Sequence, residues 1–204
     1  MALFQLAGLT VNARSKSGPT VAQSWRVTRS DPQRPRKAID AAALERLALH
    51  YAGRYATTRA KLAAYLARKI GERGWEGDDA APIEALVARF TELGYVNDRS
   101  FAEARGAALA RRGFGERRIG MALKIAGITE EDAEPVREEA RRGAHDSAMA
   151  FARRKRIGPF AQQKPDRDQR QRLLAAMLRA GHSPQISRII VNSEPGAEID
   201  PEAT

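Results

Sequence analysis

The sequence of 204 residues contains no cysteine. That excludes disulfides, thiolate metal sites and cysteine nucleophiles, and it fits a reducing cytoplasm. Histidine is almost as scarce: His50, His145 and His182 stand far apart, too scattered for an imidazole metal site. No apolar run approaches the roughly 20 residues that a membrane helix needs. The opening Met1-Ala-Leu-Phe-Gln-Leu-Ala has neither the basic leading segment nor the cleavage site of an export signal. A Walker-type phosphate loop is also missing, because Gly113-Phe-Gly115 is too short and no Lys-Ser/Thr follows it. The carboxylates Asp78, Asp79, Glu92, Asp98 and Glu103 fall in no frame for metal-assisted or acid–base chemistry. Asp78-Asp79 read as helix caps and His145-Asp146 as a helix start. The expectation is a chain without catalytic residue, cofactor, metal or small-molecule substrate.

Positive charge is what the sequence has in excess. Thirty-five Lys and Arg stand against 25 Asp and Glu, for a net +10 and a pI near 10.5. Residues 1–40 hold seven bases and two acids, 41–128 hold 15 and ten, and 129–191 hold 13 and nine. The last 13 residues reverse the sign, with four acids and no base. Such a distribution points to nucleic acid, or to a protein that itself sits on nucleic acid.

The first 36 residues mix Ser, Thr, Pro, Gln and Arg without a period, and read as a disordered basic arm. Residues 193–204 read as a disordered acidic tail. Between them every periodic segment is helical. Leu44, Leu47, Ala48 and Tyr51 step by three and four; so do Ile83, Leu86, Val87, Phe90 and Leu93, and Ile119, Ala122, Leu123 and Ala126. No segment alternates with period two, and 38 alanines favour helix, so the fold class is all-α. Gly53, Gly94, Gly113, Gly127 and Gly181 each follow a stripe, where a left-handed residue ends a helix. Thr57 or Thr58, Asn97 or Asp98, Thr129 and Ser183 precede one, where a short oxygen side chain caps free amides. The spacing predicts nine helices, near 38–52, 58–73, 80–93, 98–112, 115–126, 130–142, 145–156, 167–180 and 183–191.

Three junctions share one pattern: Leu49 to Thr58, Leu109 to Gly115 and Leu178 to Ser183 each join two helices through a glycine-centred turn. This is a degenerate helix-turn-helix repeat. Grouping in threes gives repeats at 37–94, 95–143 and 144–192, which must stack to bury a core.

The middle of the chain resembles the RecX family, regulators of the bacterial RecA recombinase. The residues that carry the resemblance are Gly94-Tyr-Val-Asn-Asp98-Arg-Ser-Phe101-Ala102, Arg112-Gly113-Phe-Gly115, Arg118-Ile119, Leu123 and Gly127-Ile128. Physically they read as scaffold: Asp98 as a cap, Phe101 and Ile119 as core, and the glycines Gly94, Gly113, Gly115 and Gly127 as turn closers. Leu44 to Leu66 and Arg170 to Ile190 resemble the flanking parts, so the likeness spans about 38–191. It implies three stacked three-helix repeats in a curved row, acting as a cytoplasmic, monomeric regulator in DNA repair and the SOS response. It implies as partners the RecA filament and, through it, single-stranded DNA, with strand exchange and ATP turnover inhibited.

Among the bases, 28 of 35 are Arg, suited to bidentate contact with phosphate or carboxylate. The candidate contact residues are Arg111, Arg112, Arg117 and Arg118 around the central turn, with Arg59, Lys61 and Arg68 on the second helix. Arg153 and Arg154, then Arg170, Arg172 and Arg179, extend the set. The second helix of each pair offers hardly an Asn or Gln to base edges, which weakens the alternative of a general DNA-binding helix-turn-helix protein.

Overall fold

The computed structural model describes residues 37–200. The basic arm, and the tail from 201 onward, lie outside the described residues. Nine α-helices and one short 3-10 turn make up the described chain, with no strand among them. The helices are α1 (Ala41–Arg54), α2 (Arg59–Arg73), α3 (Ile83–Glu92), α4 (Asp98–Arg111) and α5 (Glu116–Ile125). They continue with α6 (Glu130–Arg142), α7 (Ala144–Lys155), α8 (Arg167–Arg179) and α9 (Pro184–Asn192), the 3-10 turn Gly158–Phe160 lying between α7 and α8.

Each successive set of three helices encloses a hydrophobic cluster of its own. Leu44, Leu62, Leu66 and Phe90 centre the first, Leu109, Ile119 and Leu123 the second, and Phe151, Met177, Ile186 and Ile190 the third. The period of three and four in the sequence therefore marks the faces that turn inward. Four helix ends close alike, with Gly94, Gly113, Gly127 and Gly181 at positive φ and the next amide reaching back to a carbonyl of the last turn.

Several expected boundaries move, each for a tertiary reason. The first helix begins at Ala41, not 38, because Ile39 is extended and pairs with Trp75: the Ile39 amide donates to Gly74 O (3.0 Å) and the Glu76 amide to Ile39 O (2.9 Å). Asp40 caps α1 instead, accepting from the Ala43 amide. Gly53 lies inside α1, which runs on to Arg54 and ends where Tyr55 turns extended. Asp78 and Asp79 cap nothing, since α3 starts at Ile83 behind Pro82, and the Asp79 carbonyl accepts from the Trp75 indole. At α4 the cap is Asn97, whose side chain accepts from the Ser100 amide. Asp98 is the first helical residue and is buried.

Successive clusters are joined at the ends of the second helices. The Thr58 hydroxyl, at the start of α2, donates to the Ala126 carbonyl at the end of α5 (2.7 Å). At the start of α5 the Gly115 amide donates to the Ala180 carbonyl at the end of α8 (2.9 Å), and the Arg117 amide to Gly181 O (3.3 Å). At the second junction amides left free at a helix start thus meet carbonyls left free at a helix end, while at the first a side-chain hydroxyl supplies the donor. At the second junction the backbones touch: a Cβ on Gly115 would sit 2.4 Å from Gly181 O, and one on Gly113 2.7 Å from the Phe151 amide nitrogen. Any side chain there forces the helices apart. At the start of α8, Asp166 and Gln169 close the helix with a reciprocal capping box.

Residues 193–200 run back against the third cluster. The Gly196 amide donates to Pro159 O (2.9 Å), Lys164 pairs with Glu194, and Ile199 packs on the core. These contacts fall within the segment expected to be an acidic tail.

His182 seals the second junction. It is buried beside Phe151, and its Nε2 lies 3.1 Å from the Gly113 carbonyl, so Nε2 carries the proton of a neutral ring. Burial pushes its pKa below the ordinary imidazole range, against a smaller upward pull from the Gly113 carbonyl. The unfolded chain therefore takes up this proton more readily, and His182 contributes stability that is full above about pH 6.5 and falls as pH drops through that value toward the folded-state pKa. Thermal midpoints followed from about pH 7.5 to about pH 5 should fall more steeply for the native protein than for His182→Gln; parallel curves would contradict this assignment.

Candidate partner-binding surface

The expected contact bases fall into two classes, those already held by carboxylates and those without an acidic partner. Arg59, the first residue of α2, belongs to the first class. Its backbone amide donates to Asp98 Oδ1 (2.9 Å), its Nε to Asp98 Oδ2 (3.0 Å) and its Nη2 to Asp132 Oδ2 (3.2 Å). Asp98 therefore caps a helix, but the helix is α2 rather than its own. The carboxylates raise the Arg59 guanidinium above its already high pKa, chiefly through the hydrogen bond that it donates to Asp98. Arg59 is a latch between the first two clusters. Arg68 is likewise engaged, pairing with Glu72 at 2.7 Å.

The four guanidiniums of the central turn do not form one patch. Arg112 and Arg118 face a groove between α1, α4 and α5, while Arg111 lines a separate apolar recess with Arg142, between α4, α6 and α7. Arg117 is exposed and lines neither. A hundred degrees of helical turn per residue separates Arg111 from Arg112. None of the four forms an ion pair among the described residues.

The groove holds about 1020 Å³. Five bases line it, Arg54, Lys61, Arg105, Arg112 and Arg118, and no Asp or Glu does. Lys61 lies with its Nζ 4.4 Å from the Phe101 ring centre, so Phe101 is half-buried under a cation rather than sealed in a core. Arg112 covers Phe114 at 5.3 Å, and Arg154 reaches the same ring from α7 at 5.8 Å. Arg154 also donates to the Arg112 carbonyl, which carries the basic surface across the second junction. Farther along, Arg153 sits over Phe160. Arg172 lines a small recess with Arg156 and Lys164, Arg170 leans toward the Pro165 carbonyl, and Arg179 is exposed.

Arg54 and Arg105 are groove residues that the sequence reading missed. A signal for Arg105 exists: Phe101, Arg105, Ala108 and Arg112 step by four and three along α4, and all line the groove. On α5, Arg118, Met121 and Ile125 make a matching edge. No group of three or more metal-ligating side chains occurs among the described residues, and the groove offers charge and apolar contact instead.

Other bases are engaged within the fold. Arg137 on α6 pairs with Glu116 at 2.6 Å and with Glu130, and Arg141 and Arg142 pair with Glu134 and Glu139. This contrast predicts opposite effects of substitution. Asp98→Ala strands the Arg59 amide and should cost about 1–3 kcal/mol in urea unfolding. Charge reversal at Arg112 and Arg118 should leave stability within about 0.5 kcal/mol. Equal losses from both would contradict the division into latch and free surface.

Comparison with known proteins gives one consistent result. The regulatory protein RecX of Myxococcus xanthus is 36% identical over 175 residues, covering 80% of this chain and 91% of that protein. RecX from two strains of Thermus thermophilus is 37% identical over 109 residues, 53% of this chain and 68% of theirs. The crystal structure of RecX from Lactobacillus salivarius matches with a TM-score of 0.52 at 19% identity, over 72% of this chain and 90% of that one. A second crystal structure, of a regulatory protein RecX, matches at 0.52 and 18% identity, over 73% and 72%. At such identities the structures speak for the fold alone, and no family model matches the chain. The extent and identity of the Myxococcus match establish that this chain belongs to the RecX family of regulatory proteins.

Proposed function

We propose that the protein is a non-enzymatic regulator that binds RecA filaments assembled on single-stranded DNA and lowers their ATP turnover and strand exchange during DNA repair. The family membership supports a regulator, and the motif at Gly94 to Ile128 is the part of the chain that resembles RecA modulators most closely. The observation that carries the reading is the groove between α1, α4 and α5, lined by Arg54, Lys61, Arg105, Arg112 and Arg118 and by no Asp or Glu. A polymer that repeats an acidic or phosphate surface is the partner such a groove suits.

The arrangement in three tandem units belongs to the same proposal. Its support is the equivalence of the junctions, Thr58 to Ala126 and Gly115 to Ala180, each joining the start of one second helix to the end of the next. Repeated units of this kind let individually weak contacts add along a filament. A monomer acting in the cytoplasm completes the reading.

A helix-turn-helix protein acting on DNA alone is the poorer account. Such proteins present the N-terminal turn of the second helix to the major groove. Here the N-terminal turns of α2 and α5 abut the ends of α5 and α8.

A RecA ATPase assay on single-stranded DNA, with the protein titrated in, tests the proposal. Turnover should fall as the protein is added, and Arg105→Glu/Arg112→Glu/Arg118→Glu should need at least about tenfold more protein for the same effect. If DNA phosphates contribute, affinity should drop by about 0.7 log per phosphate per log of salt. Unchanged turnover at saturating protein would refute it.

A further inference from the structure

Exposed apolar side chains are unevenly placed on this molecule. Seven large hydrophobic residues are exposed among the described residues, and four of them, Tyr55, Tyr95, Met121 and Ile125, line the one groove that also gathers five bases and no acid. Ile125 is 78% exposed and Met121 55%, one turn apart on α5. Apolar side chains left in water beside cations without carboxylate partners mark a surface whose partner is amphipathic and acidic.

We propose that the groove between α1, α4 and α5 takes an acidic peptide segment of a protein partner, with apolar side chains seated on Met121 and Ile125. The inference deepens the regulator reading by naming the chemistry of the partner at this groove, and it rests on that reading only for the partner being a protein filament.

Nucleic acid would also satisfy the charge, but the groove is poorly built to hold bases. Single strands bind where aromatic rings offer open faces for stacking. In this groove Phe101 is covered by Lys61 and Phe114 by Arg112, and Tyr55 lies under Arg54 at 5.8 Å, which leaves Tyr95, tilted against Phe90 at 5.3 Å, as a single ring rather than a stacking platform. The most exposed large apolar side chain is Ile125, which with Met121 gives α5 an apolar edge without a ring. Aliphatic and thioether side chains on a helix edge instead match the apolar face of a bound peptide, with flanking carboxylates reaching Arg105, Arg112 and Arg118. Arg112 and Arg118 supply planar forks for bidentate carboxylate contact.

The test uses the full chain and three fluorescent probes. One is a 16-residue peptide with Glu and Asp on one helical face and Leu and Phe on the other. The second replaces each Leu and Phe by Ala, and the third is a 16-nucleotide oligo(dT). Anisotropy titration should show the first probe binding at least about tenfold more tightly than the others. Met121→Ala/Ile125→Ala should erase that preference with helicity unchanged by circular dichroism, while its affinity for oligo(dT) stays within about twofold. Equal binding of the two peptides would reduce the groove to a charge patch and overturn the proposal. So would no binding by any probe, or tighter binding of oligo(dT) that the same double variant abolishes. Failure here with RecA inhibition intact overturns the groove assignment alone; peptide binding without RecA inhibition overturns the regulator reading alone.

Discussion

The fold depends on one contact made twice, the start of a second helix set against the end of the next. Helix starts carry partial positive charge and helix ends partial negative charge, so the two attract when set end to end. At the first junction a hydroxyl spans the gap, from Thr58 to the Ala126 carbonyl. At the second the backbones meet directly, which is why Gly115 and Gly181 carry no side chain there.

That end-to-end contact decides which charges stay available. Arg59 is drawn into the first junction by Asp98 and Asp132, and Arg137 into the second cluster by Glu116 and Glu130. Engaged in this way, a guanidinium serves the fold. Arg105, Arg112 and Arg118 sit one helical face away, without an acidic partner, at the edge of the groove. The net charge of +10 says little about binding by itself; the sorting of bases into held and free says more.

Much of the fold was legible in the chain because its signals are local. Thr58, Thr129 and Ser183 cap the helices they precede, and the stripe from Ile83 to Phe90 turns its Val87 and Phe90 inward as its period requires. The misreadings share a non-local origin. Ile39 is held extended by Trp75, 36 positions away, so α1 starts late. Asp98 serves a helix that begins 39 residues earlier, and no spacing rule near position 98 could reveal it. The groove was half visible: Lys61, Arg112 and Arg118 were among the expected bases, but run-counting grouped Arg112 with Arg111, which faces the other way. Arg105 and Ile125 emerge only when α4 and α5 are read for their outward faces as well as their buried ones.

The central claim is that end-to-end contact between consecutive second helices, through a hydroxyl at the first junction and through backbone at the second, holds the clusters together, and amide hydrogen exchange on the native protein reads the second junction directly. In an isolated helix the amide of Gly115, at the N-cap, would point into water; here it donates to the Ala180 carbonyl at 2.9 Å. The account predicts that it exchanges as slowly as the amide of Ile119 in the second core, by roughly the protection of global unfolding. Exchange of Gly115 at the rate of an open loop, with Ile119 still protected, would contradict it.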